Sequence, residues 1–231
     1  MHALLCGACA QADRAIALAM DRPVSVPARP SDRADLVSAA PRALGTDAAA
    51  LAERLDLSGT WLDCVTARAG FLNFTLSAAW YEAAVTQPPE IVLLPDPSPV
   101  SMDFPAKIDP FDWCFLNALR GKVPDPALAA RQDAANPGAL LRLTLRRLEQ
   151  VEGRVPPVTD WTEETRRFLL LLAQLEPAAR PKRQAIYLET VARRVWDLGP
   201  LHLSAPLLRF ARGALSQGCA ALLCATQGNR I

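Results

Sequence analysis

Trp61-Leu62-Asp63-Cys64-Val65-Thr66-Ala67-Arg68-Ala69-Gly70-Phe71-Leu72-Asn73-Phe74-Thr75-Leu76 decides the reading of this chain. Residues 61 to 67 read as one strand, Gly70 permits a turn, and Phe71, Asn73 and Thr75 alternate with Leu72, Phe74 and Leu76. The pattern predicts a β-hairpin. Because side chains alternate along a strand, Phe71 and Asn73 share one face while Leu72, Phe74 and Leu76 share the other. One face can enter a core and leave its opposite free for binding.

Working outward, Ala3 to about Met20 reads as a helix, and Pro23, Pro27 and Pro30 limit the Val24 to Ala28 segment to an edge strand at best. Asp47 can cap a helix from Ala48 to Leu55, and Ser77 can cap a short one from Ala78 to Val85. These elements predict a small N-terminal α+β domain over residues 1 to 87. Residues 88 to 130 carry nine prolines, at 88, 89, 95, 97, 99, 105, 110, 124 and 126. They bracket an apolar strand, Ile91 to Leu94, and the stretch Phe111 to Leu119. Such density argues against a long regular element and predicts a stiff linker. Its aromatics Phe111, Trp113 and Phe115 either pack against a domain or dock a partner, with packing favoured.

Residues 131 to 231 read as an all-α bundle. A helix from about Pro137 to Val151 turns Leu140, Leu141, Leu143, Leu148 and Val151 inward, with Arg142 and Arg146 one turn apart and Arg147 beside them. Asp160 and Glu163 have the spacing of a reciprocal cap opening Trp161 to Leu175. Pro181 starts a third helix that carries Arg193 and Arg194 and ends before Gly199, and Ser204 caps the last, from Ala205 to about Ala225. Four helices joined by short loops predict an antiparallel bundle.

The chain has 231 residues, 51% of them hydrophobic and 21% charged, ordinary for a globular protein with a core and unlike a disordered one. The opening segment lacks a basic leader, and Gln11, Asp13 and Arg14 interrupt its apolar run. Neither a signal peptide nor a membrane span is expected, which places the chain in the cytoplasm with no membrane partner. The six cysteines are then expected as reduced thiols. Cys64, Cys114, Cys219 and Cys224 sit among apolar neighbours, and only Cys6-x-x-Cys9 has a spacing suited to redox or metal chemistry. Helix packing is the favoured reading of that pair, so no metal and no cofactor is expected.

A net charge of +1 conceals an uneven distribution. Residues 1 to 119 hold 8 Lys or Arg against 14 Asp or Glu, and residues 120 to 231 hold 17 against 10. The basic half would suit a polyanion, since Arg and Lys contacts to phosphate supply the main affinity term.

Ala69-Gly70-Phe71-Leu72-Asn73-Phe74 resembles the Pro-Gly-Phe-Ile-Asn-Phe-like segment that closes the N-terminal tRNA-contacting domain of class I arginyl-tRNA synthetases, with alanine in place of the proline. Arg29-Pro30, Ala34 to Gly45 and Ala49 to Leu55 follow the order of that family's helix, loop and helix. Asn136-Pro137 before an arginine-rich helix, and Leu208-Arg209-Phe210-Ala211-Arg212 before an apolar one, look like the same enzymes' DALR anticodon-binding domain. The resemblance implies that Phe71 stacks on a base at the tRNA elbow, Asn73 hydrogen-bonds its edge, and Arg68 lies close to the same nucleotide. Arg147 matches the arginine of the family's Tyr-Ala-His-Ala-Arg-like helix, where Leu143 and Leu145 replace the tyrosine and histidine. Anticodon-arm or phosphate binding would fall to Arg142, Arg146, Arg147, Arg193, Arg194, Arg209 and Arg212.

The enzyme's middle has no counterpart. A class I active site needs a His-x-Gly-His element, and the chain's only histidines are His2 and His202. No glycine-rich phosphate loop of either common type occurs. The expectation is therefore a noncatalytic paralogue that binds tRNA, with arginine tRNA as one candidate, and serves as adaptor or chaperone for another tRNA-using or tRNA-modifying enzyme. The alternative is a protein-interaction subunit of a complex, in which the old RNA surfaces contact a protein.

Overall fold

The computed structural model describes residues 2–31, 33–91, 108–121, 123–176 and 179–228, with side chains to residue 224. The chain is mixed α+β and divides into two compact units, Met1–Thr86 and Gln87–Ile231. The expected strand at Ile91 to Leu94 falls outside the described residues from position 92 onward.

The first unit begins with α1, Ala3–Met20, which ends where Asp21 turns left-handed, φ 51°, and returns its N–H to the carbonyls of Ala17 and Leu18. Its strands are β1 Arg29–Pro30, β2 Leu36–Ser38, β3 Leu62–Arg68 and β4 Phe71–Leu76, with helices α2 Ala40–Leu44, α3 Ala48–Ala52 and α4 Ala78–Val85. The strands form one antiparallel sheet in the order β1-β2-β4-β3. Leu36, Leu72, Phe74 and Leu76 are buried on one face, and Leu5, Ala8, Ala12, Ile16, Leu51 and Trp80 complete the core.

Polar side chains fix this arrangement. Trp61 N–H donates to Gln11 Oε1 at 2.7 Å, Ala28 N–H to Asp13 Oδ1 at 2.7 Å, and Leu76 N–H to Asp35 Oδ2 at 2.7 Å. Each gives a backbone donor outside the regular ladder a partner. Trp80 donates its indole N–H to Leu4 O at 3.1 Å and meets Tyr81 edge to face, centroids 5.2 Å apart. Length and composition alone would let α1 cross a membrane, but here it packs beside α3 and β3.

Asp47 and Ser77 cap α3 and α4 as expected, accepting from Ala49 N–H and Trp80 N–H. The first strand lies at Arg29–Pro30 rather than over Val24 to Ala28, where Pro27 has no N–H to give a ladder. α3 stops at Ala52, three residues short of the expected end.

The second unit contains α5 Pro110–Arg120, α6 Pro126–Ala129, α7 Pro137–Val151, α8 Glu163–Ala173, α9 Pro181–Leu198 and α10 Ala205–Gly228, with short 3₁₀ turns at Glu152–Arg154 and Pro200–His202. α5 lies where a linker without long regular structure was expected, and it packs against α7, α9 and α10. The prolines explain the difference. Asp109-Pro110, Asp125-Pro126 and Asn136-Pro137 each start a helix, the acidic or amide side chain accepting from the N–H two residues on at 2.9, 2.9 and 3.0 Å. Proline at the first helical position lacks an N–H that would have had no partner there. Phe111 and Phe115 stack at 6.1 Å and are buried, so these aromatics pack.

α8 starts at Glu163 with Thr162 as its cap, not with the expected Asp160–Glu163 pair, and Leu143 is 39% exposed rather than inward. At Gly138 the α7 backbone lies close against α5. A Cβ there would lie 2.7 Å from Asp112 Cα, so glycine is what lets the backbones meet.

Candidate nucleic-acid interface

The β3–β4 hairpin turns on Ala69 and Gly70, both with positive φ, at 52° and 80°. Two such central residues make the type I′ connection whose twist suits a two-residue hairpin. Proline, with φ fixed near −65°, cannot occupy position 69 in this turn. The alanine that departs from the Pro-Gly pattern thus accompanies a particular backbone path.

Burial alternates strictly along β4, with Leu72, Phe74 and Leu76 buried and Phe71, Asn73 and Thr75 half-buried. Cα register places Arg29 opposite Val37, Val37 opposite Asn73, and Asn73 opposite Thr66, so these four form a row across the outer face. One row along, Phe71 pairs with exposed Arg68. The three elbow residues expected from sequence therefore lie together on one face at the turn end of the hairpin. Among the described residues, the Asn73 amide and the Arg68 guanidinium have no hydrogen-bond or ion-pair partner.

The sequence reading missed a fourth member of this group. Arg42 of α2 places its guanidinium carbon 5.8 Å from the Phe71 ring centroid, within cation–π range. Arg42 is exposed and has no carboxylate partner among the described residues. Its position in the Pro41-Arg42-Ala43 stretch gave no periodic signal that could have joined it to Phe71.

The arginines of the helical unit fall into two sets. Arg142 is occupied: its guanidinium makes paired hydrogen bonds to Asp112 at 2.9 and 2.7 Å, approaches Asp109 at 3.3 Å and donates to Gln132 at 2.9 Å. Asp112 is fully buried and also accepts from Asn136 Nδ2 at 3.0 Å. Burial pushes its carboxyl above the usual range, with Arg142 pulling the other way. Arg142, itself half-buried, thus joins α5 to α7 through a fully buried counter-charge. Arg193 pairs with Glu189 at 2.7 Å, and Arg212 with Glu149 at 2.9 Å and Glu152 at 2.7 Å. Arg146, Arg147, Arg194 and Arg209 have no ion pair among the described residues, Arg146 and Arg209 being exposed and the other two half-buried.

The charge contrast shrinks once the observed boundary replaces the sequence midpoint. Unit 1 holds 7 Lys or Arg against 9 Asp or Glu, a net −2, and unit 2 holds 18 against 15, a net +3. Asp109 and Asp112, counted above with the acidic half, belong to the helical unit. Any phosphate attraction must therefore come from local groups of arginines rather than from the whole unit's field.

Cys6 is exposed and Cys9 buried, and the Cys9 thiol is pushed up to about 12, chiefly by burial. That is opposite to the lowered pKa of a reactive thiolate. Cys64 and Cys224, expected among apolar neighbours, are exposed. Among the described residues no group of three or more His, Cys, Asp or Glu is placed to hold a metal.

Against models of protein families, curated proteins and solved structures, the chain has no match.

Proposed function

We propose that this chain is a noncatalytic RNA-binding protein that contacts tRNA at an unpaired base through Phe71, Asn73 and Arg68. It would act as an adaptor that presents tRNA to another enzyme. The observation that carries this reading is the outer hairpin face, where a half-buried aromatic, an amide without a partner and an unpaired arginine lie within two rows of one sheet. Recognition of unpaired RNA bases needs such a combination, a ring for stacking and a donor-acceptor group for the base edge. The finer assignment, to an N-terminal domain and a DALR bundle like those of arginyl-tRNA synthetases, rests on the sequence resemblance alone and belongs to the same proposal. So do arginine tRNA as the ligand and the absence of catalysis. In the helical unit Arg146, Arg147, Arg194 and Arg209 are the cations this reading would use, while Arg142 holds the fold together.

Filter binding to total tRNA tests it. Binding should weaken steeply with salt, and Phe71→Ala should reduce tRNA affinity about tenfold while leaving weak duplex DNA binding unchanged. No tRNA binding at low salt would refute the reading. A protein-interaction role is favoured by a separate observation: Leu143, Ile186, Trp196 and Leu201 of the helical unit are all more than a third exposed. A single stoichiometric protein recovered with the chain, and no RNA, would decide for that role.

A further inference from the structure

We infer that Arg42 is part of the base-binding site, forming with Phe71 a two-sided corner that takes one unpaired nucleobase of an RNA loop. This rests on the RNA-binding reading above and adds a residue and a ligand geometry to it. Three observations carry the inference. Arg42 lies over the Phe71 ring at 5.8 Å, although its side chain is exposed and has no carboxylate among the described residues to hold it. Among the described residues the ring is thus the contact recorded for this guanidinium, and the side chain stays accessible to solvent. Guanidinium planes and aromatic rings are the two protein surfaces on which splayed RNA bases stack.

The hairpin register supplies the second observation. Phe71 and Asn73 are two residues apart on one strand and face the same way, which sets their Cα atoms roughly 7 Å apart. A base lying in the corner reaches the Asn73 amide with its edge, and that amide has no other partner among the described residues. The third is Arg68, the cross-strand partner of Phe71, exposed and unpaired at the same end of the sheet. It is placed for the phosphate that flanks the stacked base. Aromatic ring, guanidinium plane, amide and second cation thus converge from α2, β3 and β4.

This arrangement makes Arg42 and Phe71 one binding unit, whereas a phosphate-binding arginine would act independently of the ring. A double-mutant cycle separates the two. A fluorescein-labelled RNA stem-loop and a fully paired RNA duplex of equal length are titrated at low salt, by anisotropy, with the full chain and its Arg42→Gln, Arg42→Lys, Phe71→Leu and Arg42→Gln/Phe71→Leu variants. Arg42→Gln and Phe71→Leu should each weaken stem-loop binding about fivefold and leave duplex binding unchanged. The double variant should bind no worse than about twofold below the weaker single variant, and Arg42→Lys should fail to restore the loss because lysine lacks the plane. Multiplying effects, with Arg42→Lys restoring affinity, would overturn the inference and leave the RNA-binding reading standing. If the unaltered chain binds neither the stem-loop nor total tRNA, both fall together.

Discussion

Replacing Ala69 tests the turn on which the candidate interface is built. At φ 52° its Cβ crowds the following carbonyl, a cost of roughly 1–2 kcal/mol that glycine does not bear. Glycine in turn gives up about 0.5–1 kcal/mol through its greater freedom in the unfolded chain. Ala69→Gly should therefore stabilise the hairpin by a net ~0.5–1 kcal/mol. Ala69→Pro should do the reverse: its ring cannot reach a positive φ, so the turn must rebuild, at a cost on the order of 3 kcal/mol. The assay is urea unfolding of the full chain, with hydrogen exchange at the amides of Leu62–Arg68 and Phe71–Leu76 to locate the change in the hairpin. A proline variant as stable as the parent, with unchanged exchange protection in both strands, would refute the type I′ assignment. It would also restore the Pro-Gly form of the turn as compatible with this backbone.

Other expectations follow from the packing. Asp112→Ala strips the counter-charge from Arg142 and a partner from Asn136, and should cost about 3 kcal/mol in urea unfolding, far more than Asp133→Ala at the exposed Arg131 pair, expected below ~1 kcal/mol. Gly138→Ala drives a methyl against the α5 backbone at 2.7 Å and should destabilise by about 1–3 kcal/mol, measured the same way. A thiol reagent at pH 8 should label Cys6, Cys64 and Cys224 quickly in the native protein and Cys9, Cys114 and Cys219 only on unfolding, as mass spectrometry of the alkylated peptides would show. Burial raises the Cys9 and Cys219 thiols from 9.0 to about 12, so the folded form holds their protons more tightly than the unfolded chain does. Stability from these two groups is intact below pH 9 and falls as pH rises from 9 towards 12; Cys9→Ala should flatten that alkaline decline.

Local signals were the legible ones. Strict alternation gave the hairpin and its two faces, and Asp47, Ser77 and Pro181 marked the starts of α3, α4 and α9, because capping and strand pleat depend on neighbours in sequence. Where one residue type has two roles, the choice depended on context. Proline read as a helix breaker in Asp109-Pro110 and Asp125-Pro126, where it is a helix opener. Asp160 lost the α8 cap to Thr162, two residues on, a shift too small for spacing to resolve. Arg142 looked like any other arginine of a basic helix, since nothing near it in sequence announces the Asp112 thirty residues upstream. A comparable separation in sequence hid Arg42 from Phe71.

Asp112 is the single buried charged side chain among the described residues, and it belongs to a helix that proline content had assigned to a connector. A fragment cut at residue 131 would keep the cation and lose its counter-charge, and it would leave the surfaces covered by Phe115 and Leu116 open to water. A fragment of the helical unit that keeps this pairing intact must therefore begin at or before Asp109, whose side chain caps α5 and reaches Arg142.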